Sequence, residues 1–375
     1  MSEVATQDPD RSAIRRRVEV LGAVLGVAAG AAAGYAAERM LTIRSRRRAA
    51  DPHAEEHFGP QPYDESLTVT TDDGLGLHVE IVDPVDGVDL TLDFLPAVGQ
   101  PAPTLIFVHG FCLDMGTFYF QRKELARLGD WRMVFYDQPG HGRSGRLAEG
   151  EYTLESLGQA LRRVIEETAP GEPVVLIGHS MGGMAIMALA ELHPQLFAEQ
   201  VVGTALVATS AGRLEAVRLG LPEIIARTGR PLLPLVNGAT RMTGVMLDRA
   251  RTAASNIAWQ LTRRYGFGAE RPSPALVSFV ERMNSRTPTE TVARYLRTLY
   301  THSRYPALEA LRHVPVLVVV GDKDPITPAR ASAEICRRLP DAELVTVPDS
   351  GHVVLLEHAE TVNDVLLRFL EKICP

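Results

Sequence analysis

The stretch Pro173–Gly183, PVVLIGHSMGG, constrains this chain more than any other. Its first half is a continuous apolar run, the pattern of a strand buried on both faces. Gly178-His179-Ser180-Met181-Gly182 then breaks the run, and a helical pattern follows directly. A serine between glycines at such a junction has two readings. One is a tight strand-to-helix turn. The other is a strained elbow that holds a nucleophilic hydroxyl out into a cleft. The motif alone does not choose between them; the rest of the chain has to supply a sheet and chemical partners.

The sheet is supplied first. LTVTTDDG and LGLHVEIVD read as a strand pair turning at Asp72–Gly74, with Asp89–Leu95 as a candidate extension. PTLIFVHG and WRMVFYDQPG are apolar runs closed by glycine. TLESLGQALRRVIEET has helical spacing, with Leu154, Leu157, Leu161 and Ile165 on one face. The strand Val174–Ile177, a helix from Ser180 to about Leu192 and the strand VVGTALVAT come next. The alternation lapses over residues 213–305, which carry helical pieces with scattered Pro and Gly. It resumes with VPVLVVVGDKD, a helix near Ala329–Arg338, the strand in AELVTVPDSGH and a last helix in TVNDVLLRFLEKI. Strands alternating with helices predict an α/β fold: a mostly parallel central sheet with helices on both faces. Residues 51–212 and 306–375 then form the core. Residues 213–305 form an inserted helical cap over the carboxyl edge, where such sheets bind ligands.

Partners for the serine follow from strand ends. A hydroxyl needs a base to attack at neutral pH, and the base needs an acid to orient it. Asp324, in GDKDPITP, directly follows one predicted core strand; His352, in DSGHVV, follows the last. In a parallel sheet Ser180, Asp324 and His352 all come to one edge, in the chain order nucleophile, acid, histidine. Asp322 is an alternative acid beyond the same strand, and His358 an alternative base at a helix start.

Taken together, HGF at His109–Phe111, DQPGHGRS at Asp137–Ser144, GHSMGG at Gly178–Gly183, GDKD at Gly321–Asp324 and SGH at Ser350–His352 resemble the α/β-hydrolase superfamily, in particular its capped serine-hydrolase, esterase- and lipase-like branch. The resemblance covers about residues 66–375. It implies that Ser180 attacks a substrate carbonyl, that His352 takes and returns the proton, and that Asp324 fixes the histidine tautomer. It also implies an oxyanion hole from the backbone N–H groups of Phe111 and Met181. The expected activity is cofactor-free hydrolysis of a carboxylic ester or similar acyl bond in a small-molecule substrate. Acyl transfer, carbon–carbon bond hydrolysis and perhydrolysis use the same triad, and ligand sensing without turnover occurs on this fold. Haloalkane dehalogenases and epoxide hydrolases carry an aspartate nucleophile, and Ser180 counts against both.

Neighbouring residues carry plainer readings. His179 reads as packing or polar support beside the elbow. His141 and Arg143 read as structural parts of a Gly-rich turn, and Cys112 as a packed thiol. The three cysteines, Cys112, Cys336 and Cys374, show neither metal spacing nor a disulfide framework. No phosphate-binding glycine motif is present, and neither a cofactor nor a metal is expected.

Charge separates the N-terminus from the rest. Residues 1–50 hold nine Arg against five Asp/Glu, so a total charge of -7 leaves an acidic body, which argues against nucleic acid as a partner. Val20–Ala37 is uncharged over 18 residues, with Gly22, Gly26, Gly30 and Gly34 at four-residue intervals. As a helix it is about 27 Å long, near the hydrocarbon thickness of a bilayer. The expectation is a basic-flanked, Ala/Gly-rich single-pass anchor, with a cleaved export signal or a soluble helix as alternatives. Arg44–Gln61 reads as a polar linker.

Overall fold

The computed structural model describes residues 51–85, 102–148, 151–212 and 258–373. The chain divides into two compact units, residues 1–54 and 55–375. The helix expected at Val20–Ala37, the strand extension at Asp89–Leu95, residues 213–257 of the expected cap, and Cys374 lie outside the described residues. The membrane localisation expected from residues 20–37 is corrected. Among the described residues no helix is long and apolar enough to cross a membrane, and the single-pass placement drops out of the functional reading.

Eight strands form one sheet in the order β1-β2-β4-β3-β5-β6-β7-β8. They are β1 (Glu65–Thr70), β2 (Gly76–Val82), β3 (Thr104–Val108), β4 (Met133–Tyr136), β5 (Val174–His179), β6 (Val201–Val207), β7 (Val316–Gly321) and β8 (Glu343–Val347). β2 runs antiparallel to both β1 and β4, and every other pairing is parallel. The register sets Val108 opposite Gly178, His179 opposite Val207 and Gly321 opposite Val347. The strand ends that carry the candidate site residues therefore line up at one edge.

The continuous apolar runs have a simple cause: both faces of the sheet are covered. Ile106, Val108, Val134, Tyr136, Leu176 and Val318 pack in one cluster with the helices α1 (Leu154–Thr168) and α2 (Met181–Leu192). The alternate residues Ile177, Val207, Leu317 and Val319 face the other way, against Phe118, Leu355 and Leu366. The side chains of Ile106, Phe107, Val108, Leu176 and Val318 are fully buried. At about 1.5–3 kcal/mol for each such side chain, this double-sided burial is the main term favouring the fold.

α1 begins where the chain's chemistry asks it to: the Thr153 hydroxyl accepts the Ser156 N–H at 3.0 Å, a side-chain N-cap. Ala329–Arg338 is helical as expected, and the last helix runs from Ala359 to Ile373. Tyr119–Leu128 forms a helix that the sequence reading leaves unassigned. Residues 258–266 and the segments Pro274–Arg286 and Thr289–Thr301 are helical. The latter two lie against the loops after β3 and β4. The Met283 sulfur is 3.9 Å from the Thr117 hydroxyl, and the Tyr295 hydroxyl donates to the Pro139 carbonyl at 3.2 Å.

Candidate active site

β5 ends at His179 and α2 begins at Met181, so Ser180 alone makes the turn. Its backbone sits at φ 52°, ψ -115°, a region that costs a non-glycine residue roughly 1–3 kcal/mol and persists only where surroundings hold it. The surroundings are on hand. The Ser180 N–H donates to the Val207 carbonyl at 2.9 Å, and its own carbonyl accepts the Gly183 N–H at 3.0 Å. The Thr209 hydroxyl donates to the same carbonyl at 2.7 Å. Gly182 shows why the motif needs a residue without a side chain. A Cβ there would lie 1.9 Å from the Val108 carbonyl oxygen, so the start of α2 can press directly on the end of β3.

The expected acid and base reach the serine. The His352 Nε2 is 2.9 Å from the Ser180 Oγ, and its Nδ1 is 2.8 Å from the Asp324 Oδ2. An ionised carboxylate only accepts, so Nδ1 carries the hydrogen and Nε2 presents its lone pair to the serine hydroxyl; the tautomer is assigned from these partners. All three residues are buried, at 6, 4 and 7 % exposure for Ser180, Asp324 and His352. Burial alone pushes the Asp324 carboxyl up. Electrostatic attraction to the His352 ring and the hydrogen bonds from His352 and Thr327 outweigh it and hold the group below its ordinary value. Ile326 N–H (2.7 Å) and Thr327 N–H (2.9 Å) donate to Oδ1, and the Thr327 hydroxyl donates to Oδ2 at 2.7 Å.

The rival residues are elsewhere. Asp322 is exposed and accepts the Ser350 N–H at 3.3 Å, and His358 Nε2 meets the Asp349 carbonyl at 3.4 Å.

Two features of the histidine loop were not legible in the sequence. Glu357 accepts the Gly351 N–H at 2.7 Å, the Gly268 N–H at 3.0 Å and the Ala269 N–H at 2.8 Å. On the other side of His352, the Val353 N–H donates to the Gly266 carbonyl at 2.9 Å. The turn 266–269 thus grips the histidine loop on both sides.

The expected oxyanion donors sit at the ends of β3 and β5. Met181 is the first residue of α2, so its N–H has no partner within the helix. Phe111 lies three residues past β3, in a loop pinned by two buried histidines. His109 donates Nδ1–H to the Gly110 carbonyl at 2.8 Å and accepts the Gln138 N–H on Nε2 at 2.8 Å. His141 accepts the Cys112 N–H on Nε2 at 3.2 Å and donates Nδ1–H to the Pro139 carbonyl at 3.0 Å. Burial pushes His109 down to about 4. Burial, with the nearby His109, pushes His141 down to about 3. Both rings are therefore neutral at pH 7, as their acceptor nitrogens require. Cys112 is pushed up to about 12 by burial, which leaves a protonated, unreactive thiol.

DQPGHGRS is scaffolding around this loop. Asp137 accepts the Met115 N–H at 3.0 Å and the Arg143 N–H at 2.8 Å. The Arg143 guanidinium pairs with buried Glu80, which also holds Arg122 at 2.6 Å. A cavity of about 460 Å³ opens beside these groups, walled by Phe58, Tyr119, Phe279 and Met283, and none of Ser180, Asp324 or His352 lines it. Among the described residues no cluster of three or more His, Cys, Asp or Glu is arranged to hold a metal ion.

A family described by the alpha/beta hydrolase fold matches residues 103–359. The chain belongs to the alpha/beta hydrolase fold family. The chain is 30% identical over 283 residues to the dihydrolipoyllysine-residue acetyltransferase component of the acetoin cleaving system of Pseudomonas putida. That match takes in 73% of this chain but spans 65% of the relative's length. It is 26% identical over 275 residues to a pimeloyl-[acyl-carrier protein] methyl ester esterase of Xanthomonas campestris pv. campestris, covering 72% of this chain and 95% of that one. Among solved structures, a thermophilic esterase from Thermogutta terrifontis superposes with a TM-score of 0.60 at 22% identity. The superposition covers 83% of this chain and all of the esterase, and shows a shared fold.

Proposed function

We propose that this chain is a serine hydrolase that cleaves a carboxylic ester or similar acyl bond of a small molecule through an acyl-enzyme on Ser180. The observation that carries the reading is the unbroken relay from the Ser180 Oγ through the His352 Nε2 and Nδ1 to the Asp324 Oδ2, at 2.9 and 2.8 Å. In this reading the Ser180 oxygen attacks the substrate carbonyl carbon as its proton passes to the His352 Nε2. The carbonyl oxygen becomes an oxyanion that accepts from the Met181 and Phe111 N–H groups. Donors aimed at developing charge are worth roughly 10²–10³-fold in rate each. When the intermediate collapses, the bond to the leaving group breaks and that group takes the proton from His352. A water molecule then gives a proton to His352 as it attacks the acyl carbon; when that second intermediate collapses, the bond to the Ser180 Oγ breaks, the serine oxygen takes the proton back from His352 and the acid is released. Asp324 stays ionised throughout and stabilises the imidazolium.

Acyl transfer to an alcohol or thiol in place of water is the second reading. The acetyltransferase component among the relatives favours it, and the methyl ester esterase favours hydrolysis. The triad serves either, because the two differ only in the acceptor.

The test is covalent labelling with a fluorophosphonate probe, read by intact mass, on the wild type and Ser180→Ala. One adduct on the wild type and none on the variant is expected. Turnover of an activated ester in the variant should fall by about 10⁴-fold or more. A variant that still labels, or retains wild-type kcat, removes Ser180 from the nucleophile role. Product analysis in mixed water and alcohol separates hydrolysis from transfer.

A further inference from the structure

His179 precedes the serine and reads from sequence as support. In the structure it joins three separate segments. It is the last residue of β5, so its backbone leads directly into the elbow. Its Nε2 lies 3.0 Å from the backbone carbonyl oxygen of His352, 173 residues away in sequence. Its ring stands 5.0 Å from the His352 ring, centroid to centroid. On the third side, a Cβ added at Gly110 would come 2.7 Å from the His179 Nδ1 and 3.1 Å from its Cε1. The glycine of the HGF loop is therefore the surface on which this imidazole rests.

A carbonyl oxygen only accepts, so Nε2 carries the hydrogen and donates. Nδ1 is then an acceptor, and it is fully buried with no hydrogen-bond partner among the described residues. Leaving a buried polar atom unpaired is unfavourable. A residue kept only to fill space would be better as an apolar side chain, so the retained imidazole points to the bond that its other nitrogen makes. The titratable groups that face the ring are His352, Asp324 and His109. Burial, followed by the proximity of His352, pushes His179 down to about 3. The ring is uncharged through neutral pH and sets no positive charge against the imidazolium that His352 becomes in the proposed cycle.

We propose that His179 is a positioning residue: by donating Nε2–H to the His352 carbonyl it fixes the backbone that carries the base, and so holds the His352 ring in line between Asp324 and Ser180. The inference rests on the serine-hydrolase reading above and adds to it a residue that never touches substrate. Hydrogen bonds to Asp324 and Ser180 set where the two ring nitrogens point, and the bond from His179 sets where the ring is mounted.

The experiment compares His179→Gln, His179→Phe and His179→Asn in the full chain, with near-ultraviolet circular dichroism as the check on folding. Gln places an amide donor at about the reach of Nε2. Phe keeps the ring without a donor, and Asn keeps an amide but falls short. Activated-ester kinetics and the pH dependence of fluorophosphonate labelling are the readouts. His179→Phe and His179→Asn are expected to lose kcat about tenfold or more with KM within about twofold, and to shift the acidic limb of the labelling profile to lower pH. His179→Gln is expected to recover most of kcat and the wild-type limb. Should Phe not fold, Asn against Gln carries the comparison. Wild-type kcat and an unmoved limb in the folded Phe or Asn variant overturn the proposal. So does a folded Gln variant as impaired as Asn. Failure of the underlying reading has a different signature: no adduct on wild-type Ser180 and no effect of Ser180→Ala.

Discussion

The carboxylate of Asp324 shows how much a single side chain depends on unobtrusive neighbours. Its four acceptor contacts come from two backbone N–H groups, the Thr327 hydroxyl and His352. Thr327 is wholly buried and also lies 3.2 Å from the His352 Nδ1. Thr327→Val keeps the shape and removes the donor. A net hydrogen bond of about 0.5–1.5 kcal/mol translates to an expected 2–10-fold loss of kcat on an activated ester. Steady-state kinetics check it, and wild-type kcat would mean the hydroxyl adds nothing to the carboxylate's alignment. Ser180, Asp324 and His352 were legible because each follows a recognisable apolar run. Thr327, Glu357 and the role of His179 were not, since they act through pairings across loops whose approach no local pattern encodes.

Among elements, helices with a clean apolar face were readable, and the one with a buried polar face was not. Tyr119–Leu128 buries Gln121 and Arg122 together with Leu125. Gln121 donates to the Leu355 carbonyl and to Asn363, and Arg122 reaches Glu80 and the Pro62 carbonyl. With polar residues at inward positions, apolar spacing gives no helical signal. The packing of α1 on α2 makes a sharper demand. A Cβ at Gly158 would meet the Leu189 backbone nitrogen at 2.9 Å and the Ala188 Cβ at 3.2 Å. Glycine inside a helix ordinarily costs about 1 kcal/mol relative to alanine; here it allows the two helices to approach. Gly158→Leu should therefore destabilise the chain by about 1–3 kcal/mol or more, seen as a lowered midpoint in urea. An unchanged midpoint would mean α1 can shift outward freely.

At the scale of the whole molecule, buried imidazoles govern the response to acid. Burial, first among the causes for each, pushes His109 and His302 down to about 4 and His141 and His179 down to about 3. Unfolding returns them to about 6.5. The folded values are depressed, so the stability they confer is whole above pH 6.5 and drains away as pH falls toward 4. Asp114 opposes this. Burial and the nearby Asp137 raise it to about 6, so the folded state gains a proton there as pH falls. Burial raises Asp137 and Asp130 in the same sense as Asp114. With four imidazoles taking up protons on unfolding against three carboxyls releasing them, stability is expected to fall as pH drops from 7 to 5.5. Urea midpoints at pH 7 and 5.5, followed by the fluorescence of Trp131 and Trp259, measure it. A flat profile would mean these rings open to solvent in the folded state. The parallel sheet itself was legible, because apolar runs closed by glycine repeat along the chain. The supporting histidines became visible only when distant loops met.

The Glu357 carboxylate carries one more consequence. It holds the N–H groups of Gly268 and Ala269 and that of Gly351, next to the base, while Gly266 holds Val353. A gate that swung on the 266–269 turn would have to break these bonds or drag His352 with it. On the proposed reading, displacing that turn would carry the proton acceptor away from Ser180, so the turn and the histidine loop are expected to move as one piece.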